Sequence, residues 1–598
     1  MENVSQQFPS NMEPNELSCG DHESVESRVI KGLRDLYLTE ELCDTTVVTE
    51  SRRFLCHRVV LASVSPYFRA MFSSSMREAE RGEVVLPDIP PSIMQTVLNF
   101  IYTGEATINM DTVQELFTVS SRLQISPLQH LCSSYLIKEQ NQENCLWIYK
   151  MAYSHNDKIL CQAALQYISC HFTSLYSNNS FQCLDLGEIT SVLSSDSLMV
   201  SSELCVYRLA CRWWEFNNVT HCAFPEELLR VIRFYLMSPR ELEEVREDKL
   251  VEIPSSQNSE GLALRQGMFD DQIVSMDLLA REDRSLEDAD YHLDAYDPAL
   301  EVWEKLPALK SLMCPGILAL GSRLYVAGGM HKDDSISNTL HLYDSVRNNW
   351  TKLSSMFSSR YMHGFVSYGQ RLYALGGCDE NDVIDSVEHY NLLENHWSCG
   401  SRMPFPLCSF ACAQLKGRLY LIGGESSVVN LTSPLRGVLV YNPSSDMWCQ
   451  FSLPMVCSSA GAVVLDNKLY VIGGRVNYDH SAQSCRATSK CFCLDDQGRV
   501  CRDSYVPSLP KNIASAGVVC WKRRIYVLGG EDRNKFYKQV YYWTPGDIKW
   551  TLCRTTLPIV DNGVSGFGCV TMQIPKKRFY SLIPGRRVSS RVSHSSST

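Results

Sequence analysis

The sequence predicts a multidomain protein of 598 residues in which an α/β domain, an all-α domain and an all-β domain follow one another. Three observations predict this order. Residues 28–138 mix short alternating strands with amphipathic helices, and residues 139–251 show only the periodicity of helices. Residues 263–574 repeat one strand-rich phrase at intervals near fifty residues, which is typical of an array of small sheets.

The first domain follows a polar N-terminal segment, residues 1–27, which we expect to be disordered because it has no apolar run to bury. In residues 28–138 the apolar positions predict one helix, then two strands, then two further helices. Their expected bounds are 29–38, 43–48, 53–56, 57–62 and 65–72.

This domain resembles the BTB (POZ) family in a series of ordered motifs. They are Cys43-Asp44 on a strand, His57-Arg-Val-Val-Leu-Ala62 on a helix, Ser65-Pro-Tyr-Phe68, Val84-Val-Leu86 and Phe100-Ile-Tyr-Thr-Gly104. The resemblance implies an α/β domain that pairs with a second copy of itself.

The homodimer interface that the resemblance implies includes three leucines and one acid: Leu33, Leu36, Leu42 and Asp44. The leucines would form an apolar face buried against the second chain. The alternative, in which they only cover the domain's own core, stays open. Asp44 resembles the acid that many family members bury near this interface, and since an unpaired buried carboxylate is costly, Arg58 is a candidate partner.

A second surface of the domain is implied by Met76-Arg77-Glu78. In BTB proteins that recruit cullin-3, a hydrophobic residue, any residue and a glutamate follow the Met-Phe helix and insert at the cullin surface. A motif of three residues is short, and a solvent-exposed turn is the alternative. Its position inside a matched domain favours cullin-3 as a partner.

Catalysis is a further hypothesis, because Cys56, His57 and Asp44 lie close together in the sequence. These residues fall on strand and helix positions of the BTB pattern, and the sequence gives no sign of a cleft around them. We therefore predict a non-catalytic protein that needs no cofactor.

Residues 139–251 are predicted to be all helical. Apolar residues at helical spacing indicate five segments, 145–153, 163–168, 181–193, 206–214 and 228–234. Their order, the polar Leu-Ser-Ser-Asp break after the third segment and the Arg-Trp helix end resemble the BACK domain. The usual final helices of that domain are expected to be shortened here, because the polar stretch 252–262 is predicted to be a linker.

The repeats in residues 263–574 are marked by pairs of glycines that each follow a short apolar strand. The pairs begin at Gly328, Gly376, Gly423, Gly473 and Gly529, in steps of 48, 47, 50 and 56 residues. A tryptophan follows most pairs, at Trp350, Trp397, Trp448 and Trp550. The array resembles the kelch repeat family, in which each repeat is one twisted sheet of a β-propeller.

Six blades are expected once the partial repeats are included. Tyr296 and Trp303 supply the end of an additional blade, and 272–278 is a candidate inner strand for it. Its missing first strand is expected at 566–574, so that strands from both ends of the domain close the ring. The blade at 457–510 is the weakest match, because the Cys-rich loop 481–503 stands where its closing tryptophan should be.

The order BTB, BACK and kelch resembles the kelch-like adaptors of cullin-3 ubiquitin ligases. This implies that the BTB domain binds cullin-3 and the propeller binds a protein substrate, so that the mechanism is proximity rather than chemistry. The alternative is a scaffold that binds actin or another cytoskeletal or signalling partner without ubiquitination. A kelch-type oxidase and a zinc-finger transcription factor are disfavoured, because the sequence shows neither clustered axial ligands nor finger spacing.

The substrate is expected at the loop-rich mouth of the propeller. In several kelch receptors an arginine sixteen residues before the glycine pair reaches that mouth and binds acidic peptides. The matching positions here are Leu312, Arg360, Leu407, Cys457 and Ile513, so a strongly acidic substrate is not favoured. The candidate rim residues are Arg360, Tyr361, His363, Arg402 and Lys511; the alternative is that Arg360 is a surface charge without a ligand.

The 25 cysteines are expected to be single thiols in a reducing compartment. Four of them, Cys485, Cys491, Cys493 and Cys501, could in principle bind zinc. Their spacings of six, two and eight residues match no compact zinc motif, so no metal is predicted. A stoichiometric zinc content in the purified protein would reverse this prediction.

A net charge of −11 argues against general nucleic-acid binding. Residues 575–598 differ from the rest: they carry six basic side chains and no acidic one, and we expect a disordered, Ser-rich basic tail. The sequence shows no apolar run of membrane-spanning length and no secretory signal. We therefore expect no membrane association, and a location in the cytosol, the nucleus or both.

Overall fold

A computed structural model describes fifteen stretches of the chain: 25–73, 82–177, 180–217, 223–253, 263–276, 291–309, 312–331, 333–426, 433–434, 437–453, 457–479, 484–501, 505–533, 535–558 and 566–586. The chain folds into two compact units, residues 1–233 with 240–252, and residues 234–239 with 253–598. Among the helices of these stretches, none combines the length and the apolar character that a bilayer crossing requires.

The first part of unit one is a small sheet surrounded by helices. Its helices are α1 (Val25–Leu38), α2 (Arg58–Val64), α3 (Pro66–Ser73), α4 (Pro91–Thr103), α5 (Val113–Arg122) and α6 (Ser126–Lys138). Its strands are β1 (Thr45–Val48), β2 (Arg53–Cys56) and β3 (Glu83–Val85). The central strand β1 pairs antiparallel with β2 and parallel with β3, and it buries alternate side chains, as a half-covered strand should. The α/β class predicted for this domain is thus observed.

The second part of unit one is helical throughout the described residues. Its helices are α7 (Cys145–Ser154), α8 (Lys158–Cys170), α9 (Phe172–Tyr176), α10 (Leu186–Ser194), α11 (Glu203–Asn217), α12 (Glu226–Val231) and α13 (Pro239–Glu247), with 3-10 turns at Ser180–Cys183 and Phe234–Leu236. The helix predicted at 181–193 begins only at Leu186, because Asp185 and Glu188 form a capping box there.

Unit two contains six antiparallel sheets of three or four strands within its described residues, which we number 1 to 6. Sheet 1 contains β32 (Gly568–Pro575), β4 (Phe269–Met276), β5 (Tyr291–Asp297) and β6 (Val302–Leu309). Sheet 2 contains β7 (Gly316–Leu320), β8 (Arg323–Ala327), β9 (Leu340–Asp344) and β10 (Asn349–Leu353). Sheet 3 contains β11 (Gly364–Tyr368), β12 (Arg371–Leu375), β13 (Val387–Asn391) and β14 (His396–Cys399).

The other three sheets follow in chain order. Sheet 4 contains β15 (Ala411–Leu415), β16 (Arg418–Ile422), β19 (Gly437–Asn442) and β20 (Met447–Ser452). Sheet 5 contains β21 (Gly461–Leu465), β22 (Lys468–Ile472) and β25 (Cys491–Leu494). Sheet 6 contains β26 (Gly517–Trp521), β27 (Arg524–Leu528), β30 (Gln539–Trp543) and β31 (Thr551–Thr556).

Three short hairpins extend the connections between the second and third strands of sheets 4, 5 and 6. They are β17 (Glu425–Ser426) with β18 (Ser433–Pro434), β23 (Arg475–Asp479) with β24 (Ser484–Ala487), and β28 (Glu531–Asp532) with β29 (Lys535–Phe536). Strand β18 contacts β23, and β24 contacts β28, so the three hairpins form a continuous row.

The first strands of the six sheets contact one another in a closed circle, from sheet 1 through sheet 6 and back to sheet 1. Sheet 1 is built from both ends of the domain, since β32 pairs with β4 from Gly568–Met276 to Pro575–Phe269. The expected closure by a C-terminal first strand is therefore confirmed. Residues 272–276 of the segment predicted as an inner strand, 272–278, belong to β4, the second strand of the sheet, and residues 277–278 lie outside the described part of the chain.

The glycine pairs lie where neighbouring sheets approach most closely. At Gly423, φ is +65° and a Cβ would lie only 1.9 Å from the carbonyl oxygen of Cys457, so no other residue fits without a shift. The glycine pair therefore recurs in the sequence because the same close contact recurs between one sheet and the next.

The repeated tryptophans fasten sheets 2, 3, 4 and 6 to the sheet before each of them. Trp397 Nε1 donates a hydrogen bond to the carbonyl of Ser354, at 2.7 Å. The same bond recurs for Trp350 with Pro307, Trp448 with Ser401 and Trp550 with Pro507. A side chain that packs its ring and satisfies its N–H at these four junctions explains why tryptophan recurs in the sequence.

Two predictions in this unit need correction. The Cys-rich segment 481–503 is not one loop, because residues 491–494 form β25, which pairs with β22 as the third strand of sheet 5. The segment 575–598 is not a tail throughout, because a 3-10 helix at Lys577–Leu582 buries Phe579 and Tyr580.

Apolar burial explains why the C-terminal segment packs. The Tyr580 hydroxyl donates to Glu304 at 3.0 Å, and the Arg586 guanidinium lies 4.5 Å from the centre of the Tyr580 ring. The bond to Glu304 attaches the segment to sheet 1. Residues 587–598 lie outside the described part of the chain.

Candidate functional site

The predicted dimer face lies on α1 and the turn that follows it. In the single chain, Leu33 and Leu36 are half-buried, whereas Leu42 is 80% exposed. Val29 and Ile30 on the same helix are also exposed. Exposed apolar side chains of this kind are typical of a surface that another protein covers. Homodimerisation itself stays a prediction.

Asp44 is placed differently from the expectation. Its side chain is exposed in the single chain, and Oδ1 accepts a hydrogen bond from the backbone N–H of Arg58, at 2.7 Å. The Arg58 side chain bonds instead to the backbone carbonyl of Asp44, at 3.2 Å. The carboxylate thus satisfies a free N–H at the start of α2, and the expected side-chain ion pair between these two residues is not formed.

The geometry of His57 does not support a catalytic site formed with Cys56 and Asp44. His57 Nδ1 lies 2.9 Å from the Tyr102 hydroxyl, and Nε2 lies 3.0 Å from the Glu41 carbonyl, so both ring nitrogens have structural partners. Burial raises the pKa of the Cys56 thiol to about 12, which keeps it protonated and unreactive at neutral pH. These groups support the fold of the domain.

The predicted cullin motif, Met76-Arg77-Glu78, lies outside the described residues, which resume at Gly82 after Ser73. Its role therefore stays a prediction. The helix that should precede it is present as α3, Pro66–Ser73.

The expected mouth of the propeller can be located from the strand order. In an antiparallel four-stranded meander, the connection from the second to the third strand leaves the sheet at the same end as the connection to the next sheet. All these connections therefore lie on one side of the ring, which we call the loop face. Its described parts include 328–331, 333–339, 354–363, 376–386, 400–410, 473–479, 484–490, 505–516, 529–533 and 535–538.

Arg360, the leading rim candidate, is not on the rim. Its side chain is wholly buried and pairs with Glu388, which is itself 1% exposed. Nη1 also donates to the carbonyls of Gly376 and Ser386, at 3.0 and 3.1 Å. The guanidinium thus lies inside sheet 3, and its prediction as a rim residue was wrong.

Glu388 completes this buried pair. Its Oε2 accepts from the backbone N–H of Phe357 at 2.7 Å, and its Oε1 accepts from that of Ser358 at 3.0 Å. A buried ion pair is tolerated when further hydrogen bonds satisfy its polar atoms. Here both Glu388 oxygens and both terminal nitrogens of Arg360 are bonded, whereas Arg360 Nε is buried without a partner. Glu388 was not predicted. A signal for it exists in the repeats, because the matching residues of sheets 4 and 6, Leu439 and Tyr541, are buried and uncharged.

His363 is also a packing residue. Its two ring nitrogens are buried without hydrogen-bond partners, and the ring fills the space beside Gly316, where a Cβ would lie 2.5 Å from Nε2. Burial lowers the pKa of His363 to about 3, with the nearby Arg360 charge acting in the same direction. His363 as a whole is half-buried, but both ring nitrogens are covered. The side chain therefore presents no polar atom to a ligand, and this prediction was wrong as well.

The other rim candidates lie on the loop face. Tyr361 is half-buried beside Cys378, with which it forms a β-bridge. The Arg402 side chain is 76% exposed and lies 3.1 Å from Asp385. Lys511 is half-buried, and its ammonium lies 4.9 Å from the centre of the Tyr537 ring. These three positions stay predictions for substrate contact.

Comparison with known protein families assigns most of the chain. A BTB/POZ domain model matches residues 33–140, and a model described as BTB And C-terminal Kelch matches residues 145–247. A KLHDC2/KLHL20/DRC7 Kelch-repeats domain model matches residues 291–474, and a Kelch motif model matches residues 457–502. The chain belongs to the BTB-BACK-kelch family.

Similar members of this BTB-BACK-kelch family match over most of their length. Kelch-like protein 40 of Xenopus laevis is 25% identical over 495 residues, which are 74% of this chain and 80% of that protein. Kelch repeat and BTB domain-containing protein 8 of Homo sapiens is 28% identical over 468 residues, 74% and 76% of the two chains. Kelch repeat and BTB domain-containing protein 3 of Homo sapiens is 26% identical over 567 residues, 88% of each.

Two of the four cysteines that were considered as zinc ligands lie on one strand. Cys491 and Cys493 lie two residues apart on β25, and burial raises the pKa of the Cys491 thiol to about 12. The side chain of Cys485 is not among those described. Within the described residues, no group of three or more His, Cys, Asp or Glu side chains could hold a metal ion.

Proposed function

We propose that the chain is the substrate-recognition adaptor of a cullin-3 ubiquitin ligase. The observation that carries the proposal is the family assignment of three successive domains, BTB, BACK and kelch, in the order of an adaptor. In this proposal the BTB domain binds cullin-3 through residues 76–78, and the kelch domain binds a protein substrate at its loop face.

The adaptor would act without chemistry of its own. Cullin-3 would bring a ubiquitin-loaded enzyme, and the loop face would hold the substrate nearby, which raises the local concentration of its lysines. The buried thiol and fully bonded imidazole of the Cys56–His57 pair support this non-catalytic role. We place this activity in the cytosol or the nucleus.

Homodimerisation is part of the proposal. The exposed apolar side chains of α1 and of Leu42 would be covered by the second chain, and Leu33 and Leu36 would lose their remaining exposure. Two loop faces in one assembly could then hold two sites of one substrate, and bivalent binding strengthens a weak contact.

The experiment is capture of cullin-3 by the tagged full-length chain. Glu78→Lys should abolish capture, because it reverses the charge of the proposed contact. Glu50→Lys, an exposed glutamate of the same domain, makes the same charge change outside the motif and should leave capture intact. Each variant must elute like the wild type, which shows that the domain is folded.

Failure of the wild type to capture cullin-3 would contradict the ligase role and leave a non-degradative scaffold that binds actin or another cytoskeletal or signalling partner. Equal capture by the wild type and Glu78→Lys would contradict the assignment of residues 76–78. Actin co-sedimentation with the same samples tests the scaffold alternative directly.

A further inference from the structure

The loop face carries charge of opposite sign in different sheets. The connections of sheets 5 and 6 bring together basic side chains that are exposed or half-buried: Arg486, Lys490, Lys511, Arg533, Lys535 and Lys538. The connections of sheets 2 and 3 bring together acidic side chains: Asp333, Asp334, Asp379, Glu380, Asp382 and Asp385. We call these two sets the basic arc and the acidic arc.

The order of the sheets places the two arcs across the ring from each other. The first strands contact in the order of sheets 1 to 6 and then return to sheet 1. In a closed circle of six, sheet 5 lies opposite sheet 2, and sheet 6 lies opposite sheet 3. The two arcs therefore flank the centre of the loop face on opposite sides.

The basic arc stays net positive and the acidic arc stays net negative after ion pairs with neighbouring side chains are counted. On the basic side, Glu531 is bound by Arg475, which is outside the set of six. Half-buried Asp532 lies opposite Lys535 in the β28–β29 hairpin, and this one acid leaves the six basic side chains in excess. On the acidic side, Arg402 pairs with Asp385 at 3.1 Å. Hydrogen bonds from Ser335 lower the pKa of the Asp333 carboxyl, so this side chain is ionised at neutral pH.

The basic arc also has an aromatic centre. The Lys511 and Lys535 ammonium groups lie 4.9 and 6.0 Å from the centre of the Tyr537 ring, although they come from different connections. This arc lies along the row of hairpins formed by β23–β24 and β28–β29. The described connections in sheets 2 and 3 form only isolated bridges, so the two sides of the loop face differ in structure as well as in charge.

We propose that the protein segment bound by the loop face is bipolar, with its acidic end on the basic arc and its basic end on the acidic arc. This inference rests on the proposed function, because it names the chemical class of substrate for that same face. Complementary charge fixes the orientation of a ligand and selects among partners. A segment of one sign would be attracted by one arc and repelled by the other.

Nucleic acid is disfavoured by the same argument. A polyanion that extends across the loop face from the basic arc would meet the carboxylates of the acidic arc. A segment with separated charges meets an attractive surface at both ends.

The first test measures binding of three fluorescent peptides of equal length, about 16 residues each, to the purified full-length chain. One peptide has glutamates at one end and lysines at the other, one has glutamates at both ends, and one has lysines at both ends. The bipolar peptide should bind about tenfold tighter than either of the others at low salt, and added salt should reduce this difference. A single-stranded oligonucleotide is the fourth probe.

Equal or tighter binding of a uniform peptide or of the oligonucleotide would overturn the proposal. Absence of binding by all three peptides at low salt would also overturn it, since electrostatic attraction is strongest there.

The second test changes each arc separately. Arg533→Glu with Lys535→Glu should weaken the bipolar peptide about tenfold, and Asp334→Asn with Glu380→Lys should weaken it about threefold. Arg499→Glu with Lys549→Glu makes the same charge change as the first pair, in exposed turns on the opposite side of the ring. This control should bind within about twofold of the wild type.

An equal loss of binding in the control would show that net charge governs binding and would overturn the proposal. Unchanged thermal melting keeps a folding defect from being mistaken for a binding defect. Cullin-3 capture reports on the N-terminal domain and distinguishes the two proposals: capture without a preference for the bipolar peptide would overturn this inference alone, whereas that preference without capture would overturn only the ligase role.

Discussion

Two arginines of the kelch domain, both predicted for the substrate rim, have opposite environments. The Arg360 side chain is 0% exposed and pairs with Glu388, whose side chain is 2% exposed. The Arg402 side chain is 76% exposed and pairs with Asp385, whose side chain is 30% exposed. The same pair of chemical groups therefore holds a sheet together in one place and lies in solvent in the other.

Position in the repeat determines whether a residue is buried more strongly than residue type does. The positions matching Arg360 in other repeats are Leu312, Leu407, Cys457 and Ile513, and all of them are at most 2% exposed. A position that is apolar and buried in four repeats is buried in the fifth, whatever its charge. Arg360 is tolerated there because Glu388 and three backbone or hydroxyl acceptors bond its two terminal nitrogens.

The largest effect is expected from Arg360→Leu. Removal of the guanidinium leaves the Glu388 carboxylate buried without a counter-charge, which costs about 3–5 kcal/mol. The midpoint of urea unfolding, followed by tryptophan fluorescence of the full-length chain, should fall clearly. Arg402→Leu, the same substitution at the exposed site, is the matched control and should leave the midpoint nearly unchanged.

A double variant tests the interaction between Arg360 and Glu388 directly. Arg360→Leu with Glu388→Leu should recover part of the loss, because no buried charge remains. Recovery should be incomplete, since the N–H groups of Phe357 and Ser358 lose their acceptor. A double variant less stable than Arg360→Leu would contradict the buried ion pair.

A smaller, pH-dependent effect is expected from His363→Phe. The folded pKa of His363, about 3, lies below the ordinary unfolded value of 6.5, so between these values His363 takes up a proton in the unfolded chain but not in the folded one. The free energy of unfolding of the wild type should therefore fall by about 2 kcal/mol more than that of the variant between pH 6.5 and pH 5. Phenylalanine fits, because Phe410 fills the matching space beside Gly364.

The measurement is the urea midpoint of the wild type and His363→Phe at both pH values. The difference between the two proteins isolates this histidine from other titrating groups. Parallel pH profiles would show that the His363 ring is hydrated or hydrogen-bonded, which contradicts its enclosed position.

The smallest effect is expected from Arg402→Ala. An ion pair as exposed as this one contributes about 0–1 kcal/mol, and salt screens it. The urea midpoint should agree with that of the wild type within error, at low and at high salt. A loss as large as that of Arg360→Leu would remove the distinction between the two arginines.

Repeated features of the sequence predicted most of the fold. The glycine pairs and tryptophans recur because most sheets make the same contacts with their neighbours, as Gly423 and Trp397 show. The BTB and BACK domains were predictable because ordered motifs resemble those families, and periodicity predicted which segments are helices and strands. Closure of the ring by β32 followed from a first strand missing at one end and present at the other.

Unrepeated features were harder to predict. Segment 491–494 forms the third strand of a sheet whose closing tryptophan is missing from the sequence, and residues 577–582 pack through two aromatic side chains in an otherwise basic segment. The placement of Asp44 depends on a hydrogen bond to a backbone group fourteen residues away. The charged arcs were missed because their members are scattered over more than two hundred residues, and only the order of the sheets brings them into two sets.

The central claim is that one end of this chain binds a ligase scaffold while the other holds a client. The most direct measurement is size-exclusion chromatography with light scattering of the purified full-length chain mixed with cullin-3 at micromolar concentration. We predict one complex that contains two copies of the chain and two of cullin-3. Separate elution of a correctly folded, dimeric chain and of free cullin-3 would contradict the claim.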